Sequence, residues 1–166
     1  ASASVLTITS DDADEASIAI DLTGTGVAPE IEVSSADVAE YVDGDEQAFG
    51  DVLVGTTVSY DFTVSNTGTS VLTIADVVIT GASEFTVTSV KPTTINDGTN
   101  VTVTVEYTPV LGASASVLTI TSDDADEASI AIDLTGAGVA PEIEVVEGAT
   151  VKADGSEYDF SDVLVG

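Results

Sequence analysis

The chain has 166 residues, with 30 acidic side chains against two lysines, no Cys or His, and a formal net charge of −28. This charge excludes the phosphate-neutralising contacts of nucleic-acid binding and disfavours direct contact of this segment with anionic membranes. Without His, Cys or Arg there is no imidazole base, thiol nucleophile, typical zinc ligand set or bidentate phosphate clamp, so we expect no enzymatic activity and no required cofactor.

A long internal repeat is the dominant feature of the sequence. Residues 1–33 return at 113–145 with one difference, Thr25 against Ala137, and residues 49–55 return at 160–166 with one change. A period near 110 residues is the size of a whole domain. The repeat predicts that 1–26 are the C-terminal strands of a preceding unit, 27–138 a complete unit, and 139–166 the N-terminal strands of the following unit. We expect a window on a longer polypeptide; the alternative is that half-domains complete each other between neighbouring chains.

Hydrophobic residues alternate with polar ones along the predicted unit. One row is formed by Val58, Tyr60, Phe62 and Val64, and similar rows follow at 101–107, 118–120 and 130–134. Period-two alternation predicts half-buried antiparallel strands, placed near 30–34, 48–54, 57–65, 70–79, 84–90, 100–107, 115–121 and 128–135. A change of phase at 75–77 predicts a bulge or a strand that changes sheets. Seven or eight short strands in this length predict an all-β fold of tandem Ig-like antiparallel β-sandwiches.

The predicted junctions between units are short. Residues 22–30 run from the last strand of one unit into the first strand of the next, and the same sequence recurs at 134–142 apart from the single Thr-to-Ala difference. Glycine permits sharp redirection of the backbone, and Pro29 and Pro141 stiffen it. These junctions favour a semi-rigid rod; the alternative is an ordinary interdomain hinge.

Four segments carry a family resemblance: Phe-Gly-Asp-Val-Leu-Val-Gly at 49–55, Val-Ser-Asn-Thr-Gly at 64–68, Val-Glu-Tyr-Thr-Pro at 105–109, and Leu-Thr-Ile-Thr-Ser-Asp-Asp at 118–124. They resemble the Ig-like ASH domains, named for abnormal-spindle and Hydin proteins, and more closely the bacterial choice-of-anchor D repeats of secreted and surface proteins. The resemblance covers the full unit and both partial ones. It implies an Ig-like fold and supplies no catalytic residues.

An acidic cluster in the repeated segment is the candidate metal site. Its members are Asp11, Asp12, Asp14 and Glu15 in the first copy, and Asp123, Asp124, Asp126 and Glu127 in the second. Carboxylates gathered in a turn supply the hard oxygen ligands that Ca²⁺ prefers, although the spacing does not match an EF-hand loop. We favour a solvated hairpin turn at this position, and a cation site formed by these residues is the alternative.

Together these features predict a structural, non-enzymatic segment of an extracellular array that forms a stalk, spacer or filament on a prokaryotic cell surface. A salty or calcium-containing exterior would soften the self-repulsion of its charge. The expected partners are neighbouring repeats, with possible self-assembly into fibres through exposed sheet edges. The alternative is an adhesin that recognises a glycan or protein through its loops, with Tyr41 and Gln47 in the divergent stretch 34–48 as candidate contacts.

Overall fold

The computed structural model describes residues 1–157, and that part of the chain consists of β-strands and the turns between them. The strands are β1 (Ser2–Thr9), β2 (Ser17–Gly24), β3 (Ile31–Ser34), β4 (Asp45–Leu53), β5 (Val58–Asn66), β6 (Leu72–Gly81), β7 (Phe85–Val87), β8 (Thr94–Ile95), β9 (Asn100–Tyr107), β10 (Gly112–Ser122), β11 (Ser129–Val139), β12 (Val145–Glu147) and β13 (Thr150–Lys152). Over the described range, the fold has no helix long and apolar enough to cross a membrane. The second copy of 49–55, at 160–166, lies outside the described residues.

Strands β3 to β11 form a β-sandwich. One sheet has the order β4-β11-β10-β6-β8 and the facing sheet the order β3-β5-β9-β7. Neighbouring strands pair antiparallel, except that β11 pairs with β4 in parallel. The predicted all-β, Ig-like sandwich is confirmed.

The core lies between the two sheets and is filled by the rows that alternation predicts. Its fully buried members include Phe62, Val64, Val103, Val105, Tyr107, Leu118, Ile120, Ile132 and Leu134. Aromatic rings concentrate at one place in this core, where Phe85 stacks on Tyr107 with centroids 4.4 Å apart and Phe49 meets both rings edge-on. The predicted row in β5 is buried at Phe62 and Val64 but exposed at Val58, because that residue lies at the end of the strand.

The strands differ from the prediction at β8 and at the end of β11, and they confirm the predicted bulge. The two-residue strand β8 was not predicted, since two residues are too few to show a period. Strand β11 continues to Val139, so most of the predicted junction 134–142 is strand paired with β4 and β10. The predicted bulge is present: in the β6–β10 pairing, Asp76 and Ile74 face consecutive residues, which leaves Ala75 without a partner.

Strands β1 and β2 form a hairpin that repeats the pairing of β10 and β11. Ser2 faces Gly24 and Thr9 faces Ser17, and the equivalent residues 112 positions later face one another in the same way. The two hairpins differ in their surroundings. Leu6, Ile8, Ile18, Ile20 and Leu22 are 43–49% exposed, whereas the same side chains in the sandwich are at most 2% exposed.

Strands β12 and β13 form a second small hairpin after the sandwich. Ile143, the counterpart of Ile31, precedes this hairpin and is 88% exposed, whereas Ile31 is 2% exposed. The repeated segments at both ends of the described chain therefore present to solvent the apolar side chains that the sandwich buries.

Candidate functional site at the repeat junction

The segment that leads into the sandwich is bonded to the turn between β5 and β6. The Thr69 N–H donates to the Ala28 carbonyl oxygen at 2.8 Å, and the Thr67 N–H donates to the Glu30 carbonyl oxygen at 2.9 Å. The Ala28 N–H is directed back to Thr69 Oγ1 at 3.4 Å. These bonds fix the backbone on both sides of Pro29, so the segment is not a free linker.

Close packing at Gly68 explains how the two backbones approach. A Cβ atom on Gly68 would lie 2.5 Å from both the Ala28 carbonyl oxygen and the Glu30 nitrogen, which is closer than real Cβ contacts. The neighbouring Asn66 is buried and supports the turn: its Nδ2 donates to the carbonyl oxygens of Ser70 and Ile95. The β5–β6 turn therefore binds residues 28–30 at close range.

The second acidic turn holds the first residue of β3. The Ile31 N–H donates to Asp124 Oδ2 at 2.8 Å, and the Asp126 N–H donates to Asp124 Oδ1 at 3.3 Å. Asp124 is 2% exposed, so this position is not the solvated turn that the sequence allowed. Burial raises the pKa of the Asp124 carboxyl, but the hydrogen bonds from Ile31, Asp126 and Glu127 outweigh it and leave the pKa below its ordinary value.

Asp123 makes a similar pair of hydrogen bonds with Thr73 in strand β6. The Thr73 N–H donates to Asp123 Oδ1 at 2.7 Å, and the Asp123 N–H donates to the Thr73 carbonyl oxygen at 3.1 Å. The hydrogen bonds to Thr73 lower the pKa of the Asp123 carboxyl. Two consecutive carboxylates of one turn thus accept backbone N–H groups from β3 and β6, which lie in different sheets.

Three carboxylates come together at this point. Oxygen atoms of Glu30, Asp124 and Asp126 lie within 4.8 Å of one another, the one such grouping within residues 1–157. The negative charges of Asp124 and Asp126 raise the pKa of the exposed Glu30 carboxyl. Glu30 was not predicted as a ligand, because it is distant from the acidic turn in sequence. Its recurrence as Glu142 gave no signal, because every residue of 1–33 except Thr25 recurs in the second copy.

The other predicted ligands do not join this group. Asp11, Asp12, Asp14 and Glu15 lie in the exposed turn of the first hairpin, where the Asp14 N–H donates to Asp12 Oδ1 at 3.2 Å. Asp123 is directed to Thr73, and the Glu127 carbonyl accepts from Ser122 Oγ at 3.3 Å. Calcium binding at either turn remains a prediction; hard oxygen ligands of the right chemistry converge only at the second copy among the described residues.

The glycines at the end of β11 have a role other than the predicted one. Neither Gly136 nor Gly138 has a positive φ, so backbone redirection is not their function. A Cβ on Gly136 would lie 2.5 Å from Tyr107 Cε1, and one on Gly138 would lie 1.8 Å from the Val110 carbonyl oxygen. These glycines are required for close packing of β11 against its neighbours.

The candidate adhesin contacts are not available to a ligand. Tyr41 is 2% exposed and Gln47 is 8% exposed, and the Tyr41 hydroxyl donates to Gln47 Oε1 inside the sandwich. Burial raises the pKa of Tyr41 to about 12. Both residues are part of the core, so the suggestion that they contact a partner was wrong.

A sequence model of the HYDIN/CFA65/VesB-like Ig-like domain family matches residues 41–137. The chain belongs to this family, and the resemblance to ASH-type Ig-like domains is confirmed. The family defines a structural or binding module. No curated protein sequence matches the chain.

Three solved structures are similar to the chain at low identity, and the first of them has the same fold. A Porphyromonas gingivalis protein of unknown function is 13% identical with a TM-score of 0.54, over 82% of this chain and 64% of that one. The ASH/PapD-like domain 7 of human CEP192 is 12% identical with a TM-score of 0.48, over 72% of this chain and 92% of that domain. The Vibrio cholerae VesB protease is 21% identical with a TM-score of 0.43, over 55% of this chain and 30% of that one. The chain thus spans less than two thirds of the P. gingivalis and VesB structures.

Proposed function

We propose that this chain is a structural, non-enzymatic segment of an extracellular array of Ig-like repeats, acting as a stalk, spacer or filament on a prokaryotic cell surface. Its partners are neighbouring repeats of the same protein. The family to which the domain belongs suggests a structural or binding module. The composition supports the non-enzymatic role, because the sequence lacks the side chains on which most nucleophilic, zinc and phosphate chemistry depends.

The observation that carries the proposal is that both sides of the junction are held. Before the junction, residues up to Val139 belong to β11 and pair with β4 and β10. After the junction, residues 28–31 are bonded to the β5–β6 turn and to Asp124. Where one repeat follows another through this sequence, no residue remains as a flexible tether, and the expected connection is stiff.

The position of the two ends supports an extended array. The chain enters the sandwich at Ile31, beside the β10–β11 turn, and leaves it at Val139, at the other end of β11. Ten residue steps along β11 correspond to about 33 Å. Entry and exit at opposite ends of a long strand make each unit add its length to the array.

An adhesin is the alternative function. It has less support, because the side chains first considered for recognition are buried in the core. A binding role would have to use other exposed loops, and no cluster of exposed aromatic side chains marks one of them among the described residues.

The test is electron microscopy of the native assembly from the producing cells, with and without a Ca²⁺ chelator. The proposal predicts regular fibres or stalks with an axial period of about 33–45 Å, one strand length plus the junction. If the fibres loosened on chelation, this would indicate that a cation binds at the junction. Flexible strings of separate beads in both conditions would overturn the rod, and an intracellular location of the native protein would overturn the surface role.

A further inference from the structure

An exposed apolar patch lies at the end of the sandwich where the chain leaves it. Its members are Leu53, Val54, Val110, Leu111 and Val139, which are 38–72% exposed, and we refer to them as the exit patch. Contiguous exposed apolar side chains of this kind mark interaction surfaces. We propose that the exit patch packs against the β5–β6 turn of the following repeat, so that consecutive sandwiches share a direct interface in addition to their covalent connection.

The exit patch surrounds the last residues of β11. On the β4 side, the Val54 N–H donates to the Val139 carbonyl oxygen at 2.9 Å. On the β10 side, Leu111 forms a bridge with Gly138, and the Val110 carbonyl oxygen occupies the place that a side chain on Gly138 would need. The patch is therefore one continuous surface around the point where the chain passes to the next repeat.

The repeat places the β5–β6 turn of the following unit next to this patch. Val27 and Val139 are counterparts, so the structure shows both sides of one junction, with the chain leaving a sandwich at Val139 and leading into one after Val27. On the second side, the Ala28 carbonyl oxygen accepts the Thr69 N–H at 2.8 Å. Consecutive Cα atoms are only about 3.8 Å apart. The counterpart of Thr69 in the following repeat therefore lies within side-chain reach of the exit patch.

Both surfaces lack charge, although the protein has a net charge of −28. The β5–β6 turn at 67–71 contains no charged residue, whereas the acidic turn at 123–127, at the same end of the sandwich, contains four. The loops 54–57 and 108–111, which carry three members of the exit patch, contain none. Like charges facing one another would oppose contact between repeats. The exit patch and the β5–β6 turn can therefore pack together without this repulsion.

Val71 is the apolar side chain that the turn offers to the interface. It is 47% exposed and directly precedes the buried Leu72, so alternation along the chain directs it away from the core. Leu111 is the most exposed member of the exit patch. Across the junction, the Leu111 side chain of one repeat and the Val71 side chain of the next are the expected contact.

The inference rests on the proposed array, because it requires a complete repeat after Val139. It adds a second source of stiffness to the one already described. The hydrogen bonds of residues 28–31 hold the backbone of the junction, whereas an interface also fixes the angle between consecutive sandwiches.

The test uses the full chain continued after Gly166 by a second copy of residues 56–139. Since 160–166 corresponds to 49–55, this addition completes the following repeat and leaves the existing chain unchanged. The chain has no cysteine, so Thr102→Cys in both repeats gives two spin-label sites, each exposed on the central strand β9. Pulsed electron paramagnetic resonance then measures the distribution of the distance between the two labels.

We expect a single narrow distribution for this two-repeat chain. Leu111→Asp in the first repeat places a charge in the interface and should broaden the distribution at least about twofold, because relative motion is the default once an interdomain interface is lost. Val71→Asp in the second repeat should have the same effect. The matched controls are the same substitutions at the outer positions, Leu111→Asp in the second repeat and Val71→Asp in the first, and they should leave the width unchanged.

A measurement on the unextended chain separates a lost interface from a misfolded sandwich. Leu111 is 72% exposed there, so Leu111→Asp should melt at the wild-type temperature when followed by circular dichroism. If this variant melts at a lower temperature, Val110→Asp takes its place, because Val110 is a second exposed member of the exit patch.

Three results would overturn the interface, and they differ in what they mean for the array. A narrow distribution that neither inner substitution broadens would leave the array intact, since the hydrogen-bonded junction alone would then hold the sandwiches. Equal broadening by the inner and the outer substitutions would likewise remove only the interface. A broad distribution in the unsubstituted two-repeat chain would overturn the interface and the proposed stiff connection together.

Discussion

The two copies of the hairpin allow one core substitution to be measured against its own control. Ile132 in β11 is 0% exposed, and Ile20 in β2, with identical neighbours in sequence, is 43% exposed. Replacing Ile132 with Ala removes three carbon atoms from a closed core. At about 0.8 kcal/mol per buried methylene plus a term for the cavity, the expected loss of unfolding free energy is about 3–4 kcal/mol.

The same change at Ile20 should cost less than about 1 kcal/mol, because the removed atoms are already partly in water and no second sheet covers them. Since more than a dozen residues on each side of the two positions are identical, apart from the Thr25/Ala137 difference, effects on the unfolded state nearly cancel. The measurement is urea unfolding followed by circular dichroism, with the midpoint and the slope fitted separately.

Equal losses for Ile132→Ala and Ile20→Ala would refute the reasoning. That outcome would mean that the first hairpin is covered as completely as the second in the isolated chain. A loss at Ile132 below 1 kcal/mol would mean that the sandwich does not close over β11.

Three further predictions use the same internal control or the acidic cluster. Asp124→Ala should lower the unfolding free energy by about 1–3 kcal/mol, because it leaves buried backbone N–H groups without an acceptor. Asp12→Ala should change it by less than about 0.5 kcal/mol in the same urea assay, and similar values for the two variants would contradict a stabilising role of the Asp124 hydrogen bonds. Gly136→Ala should lower the melting temperature clearly, since the new methyl group meets an aromatic ring, while Gly24→Ala should not, and equal melting temperatures in calorimetry would refute the close packing. Glu30→Gln should stabilise the fold at pH 7, because the raised pKa of Glu30 means that its charged form opposes folding, and this gain should vanish as the pH falls through that pKa; a pH-independent difference would rule out the charge repulsion, and a gain that is reversed by added Ca²⁺ would indicate that the three carboxylates bind the ion.

The fold was predictable because its strands show their period in the sequence. Strands β5, β9, β10 and β11 each bury one face, and a half-buried strand therefore has an apolar side chain at every second residue. The bulge at Ala75 was visible for the same reason, as a change of phase. Strand β8 was not, because two residues of Thr and Ile carry no period.

The site was only half predictable, because its parts meet across the sandwich. The acidic turn is evident as a cluster, but the N–H group that Asp124 accepts belongs to Ile31, 93 residues away. The sequence shows the junction glycines, but their role depends on the residues packed against them in the fold. Sequence shows that Gly136 lacks a side chain; only the position of the Tyr107 ring shows why.

The parallel pairing of β4 with β11 has a mechanical consequence. If repeats are joined as proposed, a pull on the array would act on the sandwich at Ile31 and at Val139, the ends of two strands that belong to different sheets. Tension at Val139 is directed along β11, so the hydrogen bonds that join it to β4 and β10 are loaded in shear, and many of them must break together rather than one after another. A chain built in this way should yield abruptly, one whole sandwich at a time, when it is stretched.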